Sequence, residues 1–197
     1  MVSPADTALV NGSGEERRKF LTLVLSQIDK EYLKMMQQYN QLLLQRNKLL
    51  KMDSVCWELV ETIDFRMSLS ADYIYKKRCE LCSLLEEKVY SYYAALSSGK
   101  ETVKLEYISD LHEGSLDEIL LKERAKDALL KFTSRGIHKD DIEFTLNGMP
   151  LKKCGSQGQQ KSFLVALKLA QFDIMKKLHG ITPILLLDDV FDKLDMQ

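Results

Sequence analysis

Between Glu15 and Ser98 the chain contains neither proline nor glycine, while apolar residues return every three or four positions. A stretch with no helix breaker and a 3.6-residue period folds as long helices. The first is predicted to start at Ser13 as N-cap. Glu15 and Glu16 suit the positive end of its dipole, and Phe20, Leu21, Val24, Leu25 and Ile28 form its apolar stripe. A second is expected from about Glu31 to Lys51 on Tyr32, Met35, Met36, Tyr39, Leu42, Leu43, Leu49 and Leu50. A third begins near Asp53 or Ser54 and can continue to Leu96, with Trp57, Val60, Ile63, Met67, Ala71, Ile74, Leu81, Leu85 and Val89 stepping by threes and fours. So long a helix has more apolar face than one small core covers, which predicts a projecting hairpin or arm. A compact bundle broken at "SLSAD" satisfies the same pattern.

Charge narrows the partners. The 197 residues carry 28 Lys+Arg against 29 Asp+Glu, a net charge of -1, so any nucleic-acid contact must be a local patch rather than a global positive field. The helical half holds small basic clusters at Arg17, Arg18 and Lys19, at Arg46, Lys48 and Lys51, and at Lys76, Lys77 and Arg78. Each can meet phosphates, and each also fits an ordinary solvated helix face. The four cysteines form no disulfide framework. Cys79 and Cys82 have the spacing of a zinc knuckle but lie inside a helical stretch with no second ligand pair, so they are read as buried helix cysteines. No signal peptide and no bilayer-length apolar run is evident, which sets a cytoplasmic, membrane-free expectation. The chain opens as though in mid-loop and closes just after a buried-looking strand, the pattern expected of a piece of a longer protein.

After "SSGK" the texture changes. "TVKLEYIS" alternates like a strand, Ser115 to Phe132 returns to helical periodicity, and "DIEFTLNGMPLKK" reads as two short strands about an Asn147-Gly148 turn. Next come "CGSQGQQKSFLVALKLAQ", a helix through about Leu178, and the continuous apolar run Pro183 to Val190, which reads as a buried central strand.

Two segments point to chemistry. In "PILLLDDVFDKLD", Asp188 and Asp189 end an apolar strand, where carboxylates are costly unless they meet a cation or strong donors. This is the form of a Walker B element, and equally of a strand that exits into solvent. In "CGSQGQQ", Ser156 followed three residues later by Gln159 is a capping box, so the helix is predicted to start at Gln157. Gly155 and Gly158 would let a ligand approach the backbone, and the helix end favours an anion. Taken alone, the segment is also an ordinary capped helix. His138 with Asp140 and Asp141 suggests a metal, but three side chains so close along one loop cannot all face one ion, and a structural role is expected.

The order Ser-x-Gly-Gln, amphipathic helix, apolar-Asp-Asp and "DKLD" is similar to the C-terminal half of an ABC-type ATPase: signature motif, Walker B and D-loop. Within that group "GSQGQQKSFLVALKLAQ", "PILLLDDVFDKLD", "SPADTALVNGSGEERRKFL", "YNQLLLQRNKLL" and "GIHKDDIEFTLNG" resemble the RecF family. In "GIHKDD", Ile137 and Lys139 stand where many of its members have Pro and Arg. The resemblance implies an α/β fold class: the C-terminal part of an ABC/SMC-type ATPase head, an incomplete P-loop NTPase fold, with a mainly helical arm. It divides the chain into a head remnant at 1–12, an arm at 13–98 and a partial head at 99–197.

The resemblance also implies a function: DNA replication and recombinational repair, linked to the SOS response. Family members use ATP and Mg, form an ATP-dependent homodimer, bind DNA at single-strand/double-strand junctions, and help RecO and RecR load RecA. By position, Ser156, Gln157, Gly158 and Gln159 would contact a γ-phosphate held by a second protomer. Asp188 would assist Mg, Asp189 would be catalytic in the place most ABC ATPases give to glutamate, and Asp192 and Asp195 would lie in the D-loop. An aspartate there, one methylene shorter, implies slow hydrolysis. Arg17, Arg18 and Arg46 are the candidate DNA contacts. The sequence lacks a G-x-x-x-x-G-K-[ST] loop, since Gly99-Lys100 is followed by Glu101. The chain by itself is therefore expected neither to bind ATP tightly nor to hydrolyse it. Two other readings fit parts of the pattern: a helical docking module without ATPase activity, and a fragment of a transporter's nucleotide-binding subunit.

Overall fold

The computed structural model describes residues 4–179 and Ile184. After a short 3-10 turn, the helices and strands are α1 (Ala8–Asn11), α2 (Gly14–Ile28), α3 (Lys30–Leu49), α4 (Trp57–Leu96), β1 (Val103–Ile108), α5 (Leu116–Leu130), β2 (Asp141–Leu146), β3 (Met149–Pro150), α6 (Leu151–Cys154) and α7 (Gln157–His179). Among the described residues the fold is mostly helical, with a small three-stranded sheet in the order β1-β2-β3. The third predicted helix is one uninterrupted element of 40 residues, about 60 Å long at 1.5 Å per residue. It runs through "SLSAD" because Ala71 and Ser70 are themselves buried in its stripe, so the broken-bundle alternative does not hold. Pro183 to Val190, the predicted central strand, lies outside the described residues apart from Ile184.

The chain divides into two compact units. One draws on Met1–Val24, Glu80–Tyr107 and Ile142–Gln197, the other on Leu25–Cys79 and Ile108–Asp141. These units cut across the sequence segments 13–98 and 99–197, because α2 and α4 each supply residues to both.

The first unit holds the sheet. β1 alternates buried and exposed, turning Val103, Leu105 and Tyr107 inward. β2 and β3 pair antiparallel, with Leu146 opposite Met149, across the two residues Asn147 and Gly148. Both turn residues have positive φ, 49° and 78°, as a type I′ hairpin requires, and Asn and Gly are the residues that accept it at least cost. Asn147 also ties the turn to the start of β1: its N–H donates to the Thr102 carbonyl at 2.7 Å and its Oδ1 accepts from the Thr102 N–H at 2.9 Å. Phe144 on β2 packs on Phe163 of α7 with ring centroids 4.8 Å apart, and Tyr93 of α4 meets the same ring at 6.4 Å.

The second unit is organised around buried charge. Asp29 caps α3 by accepting from the Tyr32 N–H at 3.0 Å and also takes the Tyr73 hydroxyl at 2.8 Å. Arg46 of α3, fully buried, donates from Nε to Asp64 of α4 at 2.6 Å and from Nη1 to Asp127 of α5 at 2.6 Å. Nη1 also reaches the Thr133 hydroxyl at 2.9 Å. Burial pushes the Asp64 carboxyl upward, opposed by Arg46. Arg78 of α4 bonds Asp140 at 2.7 Å, the Ile137 carbonyl at 2.8 Å and the Tyr32 hydroxyl at 3.2 Å. His138 stands between the Tyr39 hydroxyl at 2.8 Å and the Thr133 carbonyl at 3.1 Å. Gly136, with φ 124°, is required beneath this pair: a Cβ there would sit 2.8 Å from the Tyr39 hydroxyl.

Candidate functional site

The site is built from the descent of the hairpin into α7. Pro150 closes β3 and the chain makes one turn of helix, α6, before Gly155 redirects it. A Cβ at Gly155 would lie 2.8 Å from both the carbonyl oxygen and Cδ1 of Leu151, so this glycine serves the chain's own fold-back rather than the approach of a ligand. Ser156 and Gln159 then form the predicted capping box. The Gln159 N–H donates to the Ser156 hydroxyl at 3.2 Å, and the Ser156 N–H donates to Gln159 Oε1 at 2.7 Å. α7 starts at Gln157, where the sequence placed it.

Around this start the amides are tied in. Gln160 Nε2 donates to the Gly155 carbonyl at 3.0 Å, and its Oε1 accepts from Asn11 of α1 at 2.8 Å. Thr7, Val10, Asn11, Gln157, Gln160 and Lys161 line a cleft of about 220 Å³ at this end. Ser156 and Gln157 are exposed and Gly158 is half-buried. No acidic residue stands in the first turn of α7, and Lys152 and Lys153 of α6 precede it.

An anion fits such an end. The helix dipole is positive here, and Ser156 Oγ accepts from within the box, so its own proton is left to donate outward. Farther along α7, Asp173 accepts from the Tyr92 hydroxyl at 2.7 Å and from Lys88 at 3.0 Å, both on α4. The tyrosine bond, with the lysine, holds the Asp173 carboxyl below its usual value against some desolvation.

The other predicted residues are placed differently. Asp188, Asp189, Asp192 and Asp195 lie outside the described residues. Arg46 is no phosphate contact: it is fully buried and spent on Asp64 and Asp127. Arg17 is 9% exposed, and its Nη1 holds the Leu9 and Gly12 carbonyls, each at 3.2 Å. Arg18 is half-buried. The sequence carried a signal for the first two, because Arg46 falls on the Tyr39, Leu42, Leu49 stripe and Arg17 on the Phe20, Leu21, Val24 stripe. A charged residue inside an apolar stripe reads as a buried ion pair or bonded cap. Missed at the site are Glu101, Asn11 and Gln160: Glu101 bonds Gln159, 58 residues away, and Asn11 bonds Gln160, 149 residues away.

Cys79 and Cys82 both lie in α4, the second buried. Among the described residues no group of three or more His, Cys, Asp or Glu could hold a metal ion. No described helix is long and apolar enough to cross a membrane.

No protein-family model matches the chain. It is 47% identical over 195 residues to the DNA replication and repair protein RecF of Parabacteroides distasonis, covering 99% of this chain and 53% of that protein. To RecF of Bacteroides thetaiotaomicron it is 45% identical over 196 residues, again 99% of this chain and 53% of the relative. Among solved structures it matches the recombination mediator protein RecF-ATP of the RecFOR pathway with a TM-score of 0.89 at 29% identity, over 98% of this chain and 55% of that one. The RecF-ATPrS structure of the same pathway matches at 0.90. The chain spans about half the length of the curated relatives it matches. Over that span, in sequence and in fold, it corresponds to part of a RecF protein.

Proposed function

We propose that this chain is the part of a RecF-type protein that presents a signature motif to ATP held by a second copy, and that the whole protein acts in DNA replication and recombinational repair. The observation that carries the reading is the capped, exposed, acid-free start of α7, in a chain that superposes on a RecF-ATP structure. Segment Ser156–Gln159 offers what a γ-phosphate needs: a hydroxyl donor, a glycine and the positive end of a 23-residue helix. Asp188 and Asp189 belong to the same reading by resemblance, the first toward Mg and the second toward the attacking water. The magnesium ion would supply charge neutralisation at the phosphates. Asp192 and Asp195 would lie where two copies meet. RecO, RecR and a single-strand/double-strand DNA junction are the partners, in the cytoplasm.

This chain alone carries no G-x-x-x-x-G-K-[ST] loop, so isothermal titration of it with ATP is expected to show no micromolar binding. The reading itself is tested on an intact RecF carrying this segment, by sedimentation with and without ATP. The wild type is expected to dimerise with ATP and Ser156→Arg to stay monomeric. A dimer undiminished in that variant overturns the in-trans role. The 40 residues of α4 favour this reading over a transporter subunit, whose helical subdomain is compact.

A further inference from the structure

The start of α7 is held from outside the motif. Gln159 Nε2 donates to Glu101 Oε1 at 2.6 Å, and the second oxygen of that carboxylate accepts from the Tyr93 hydroxyl at 2.6 Å. Glu101 sits in the connection between α4 and β1, and Tyr93 in the last turn of α4, 1% exposed. Burial and the Glu101 carboxylate both push the Tyr93 phenol upward, so it stays protonated as the donor. Every polar atom of the Gln159 side chain is thereby engaged, Oε1 by the Ser156 N–H and Nε2 by Glu101. The amide is thereby fixed in orientation, with one of its two Nε2 protons given to Glu101 and its oxygen given to the Ser156 N–H. Its backbone N–H is in turn what orients the Ser156 hydroxyl. The body of α7 is registered on α4 as well, through Phe163 against Tyr93 and Asp173 against Lys88 and Tyr92.

We propose that Glu101, backed by Tyr93, is a positioning residue: it fixes the Gln159 side chain, which through the capping box aims the Ser156 hydroxyl and the first N–H groups of α7 at the incoming phosphate. The proposal rests on the in-trans reading above and assigns Gln159 a holding role within it. Charge-assisted bonds to Glu101 are the strongest in the box, so their loss should be felt at Ser156.

The test uses an intact RecF carrying this segment, with the ATP concentration at half-maximal dimerisation as the readout. Glu101→Ala and Gln159→Ala are each expected to raise it about tenfold, the scale of one charge-assisted hydrogen bond. The double variant should be no worse than Gln159→Ala, since both act through one path. Glu101→Gln keeps an acceptor oxygen for Gln159 and should come back to within about threefold of wild type. Should Glu101→Ala fail to fold, Tyr93→Phe replaces it: it is expected to raise the midpoint and to be non-additive with Gln159→Ala.

Additive single effects, or an unmoved midpoint in Glu101→Ala, overturn the proposal. If the wild type does not dimerise with ATP, or Ser156→Arg dimerises normally, the in-trans reading fails instead. The relay is then decided by amide hydrogen exchange at Ser156 to Gln160. Faster exchange in Glu101→Ala upholds the positioning contact, and unchanged exchange removes it.

Discussion

The two units use polar side chains to opposite ends. In the unit formed by Leu25–Cys79 and Ile108–Asp141, two arginines are sealed away: Arg46 and Arg78 are fully buried and each meets aspartate at 2.6 to 2.7 Å. In the other unit the polar residues that matter are uncharged amides and a hydroxyl at the exposed start of α7, steadied by one carboxylate. Buried charge fixes a structure because removing one partner strands the other. Neutral groups at a helix end leave the dipole free to meet an anion brought from elsewhere. Arg46 and Arg78 hold helices together, and the residues proposed to face a phosphate carry no charge.

The sharpest way to break this comparison is Arg46→Met, which abandons Asp64 and Asp127 in the interior. It is expected to cost about 3–5 kcal/mol of folding free energy in urea denaturation. A loss below about 1 kcal/mol would mean that these charges are incidental to the unit. Gly155→Ala comes next. Its new Cβ would meet the Leu151 carbonyl oxygen at 2.8 Å, so a penalty of about 1–3 kcal/mol is expected from forced backbone movement, read as a lowered Tm. Ser156→Ala removes the cap and should cost about 1 kcal/mol of stability, while in an intact RecF it weakens ATP-dependent dimerisation more than that loss alone explains. Equal effects on stability and dimerisation would reduce Ser156 to a cap.

The smallest effect belongs to Asp173→Asn, measured as stability against pH. The Asp173 carboxyl is held down by the Tyr92 hydroxyl and Lys88, so the folded state prefers it ionised. Its contribution is present above the unfolded carboxylate value near 3.8 and is lost as pH falls through the lower folded value. The two stability curves should therefore run parallel at neutral pH, separated by under about 1 kcal/mol, and converge below pH ~4. A gap persisting at acid pH would assign the contact to packing.

Local signals carried well into the structure. Ser156-x-x-Gln159 gave the start of α7, and Asn147-Gly148 gave the hairpin, because each encodes its geometry within four residues. The freedom of Glu15 to Ser98 from breakers gave the long helices. What escaped were contacts between remote positions. Arg46 meets Asp64 and Asp127, 18 and 81 residues on, and Gln159 meets Glu101, 58 residues back. Basic residues next to other basic residues read as a solvated or phosphate-facing cluster until the phase of the apolar stripe is asked which face they occupy. Arg78 answers that test as Arg46 does, lying on the Ile74, Leu81, Leu85 face. Asp188 and Asp189 rest on resemblance.

The setting of His138 also decides its coordination chemistry. The Thr133 carbonyl can only accept, so Nε2 carries a proton, while Nδ1 shares a hydrogen bond with the Tyr39 hydroxyl. The imidazole thus has Nε2 committed as a donor to a carbonyl and Nδ1 turned to a tyrosine hydroxyl. Each nitrogen already has a partner, so a transition metal would have to displace one of them, whatever acidic neighbours the loop supplies. In nitrogen-15 spectra this ring is expected to keep its Nε2 proton, unchanged by added zinc.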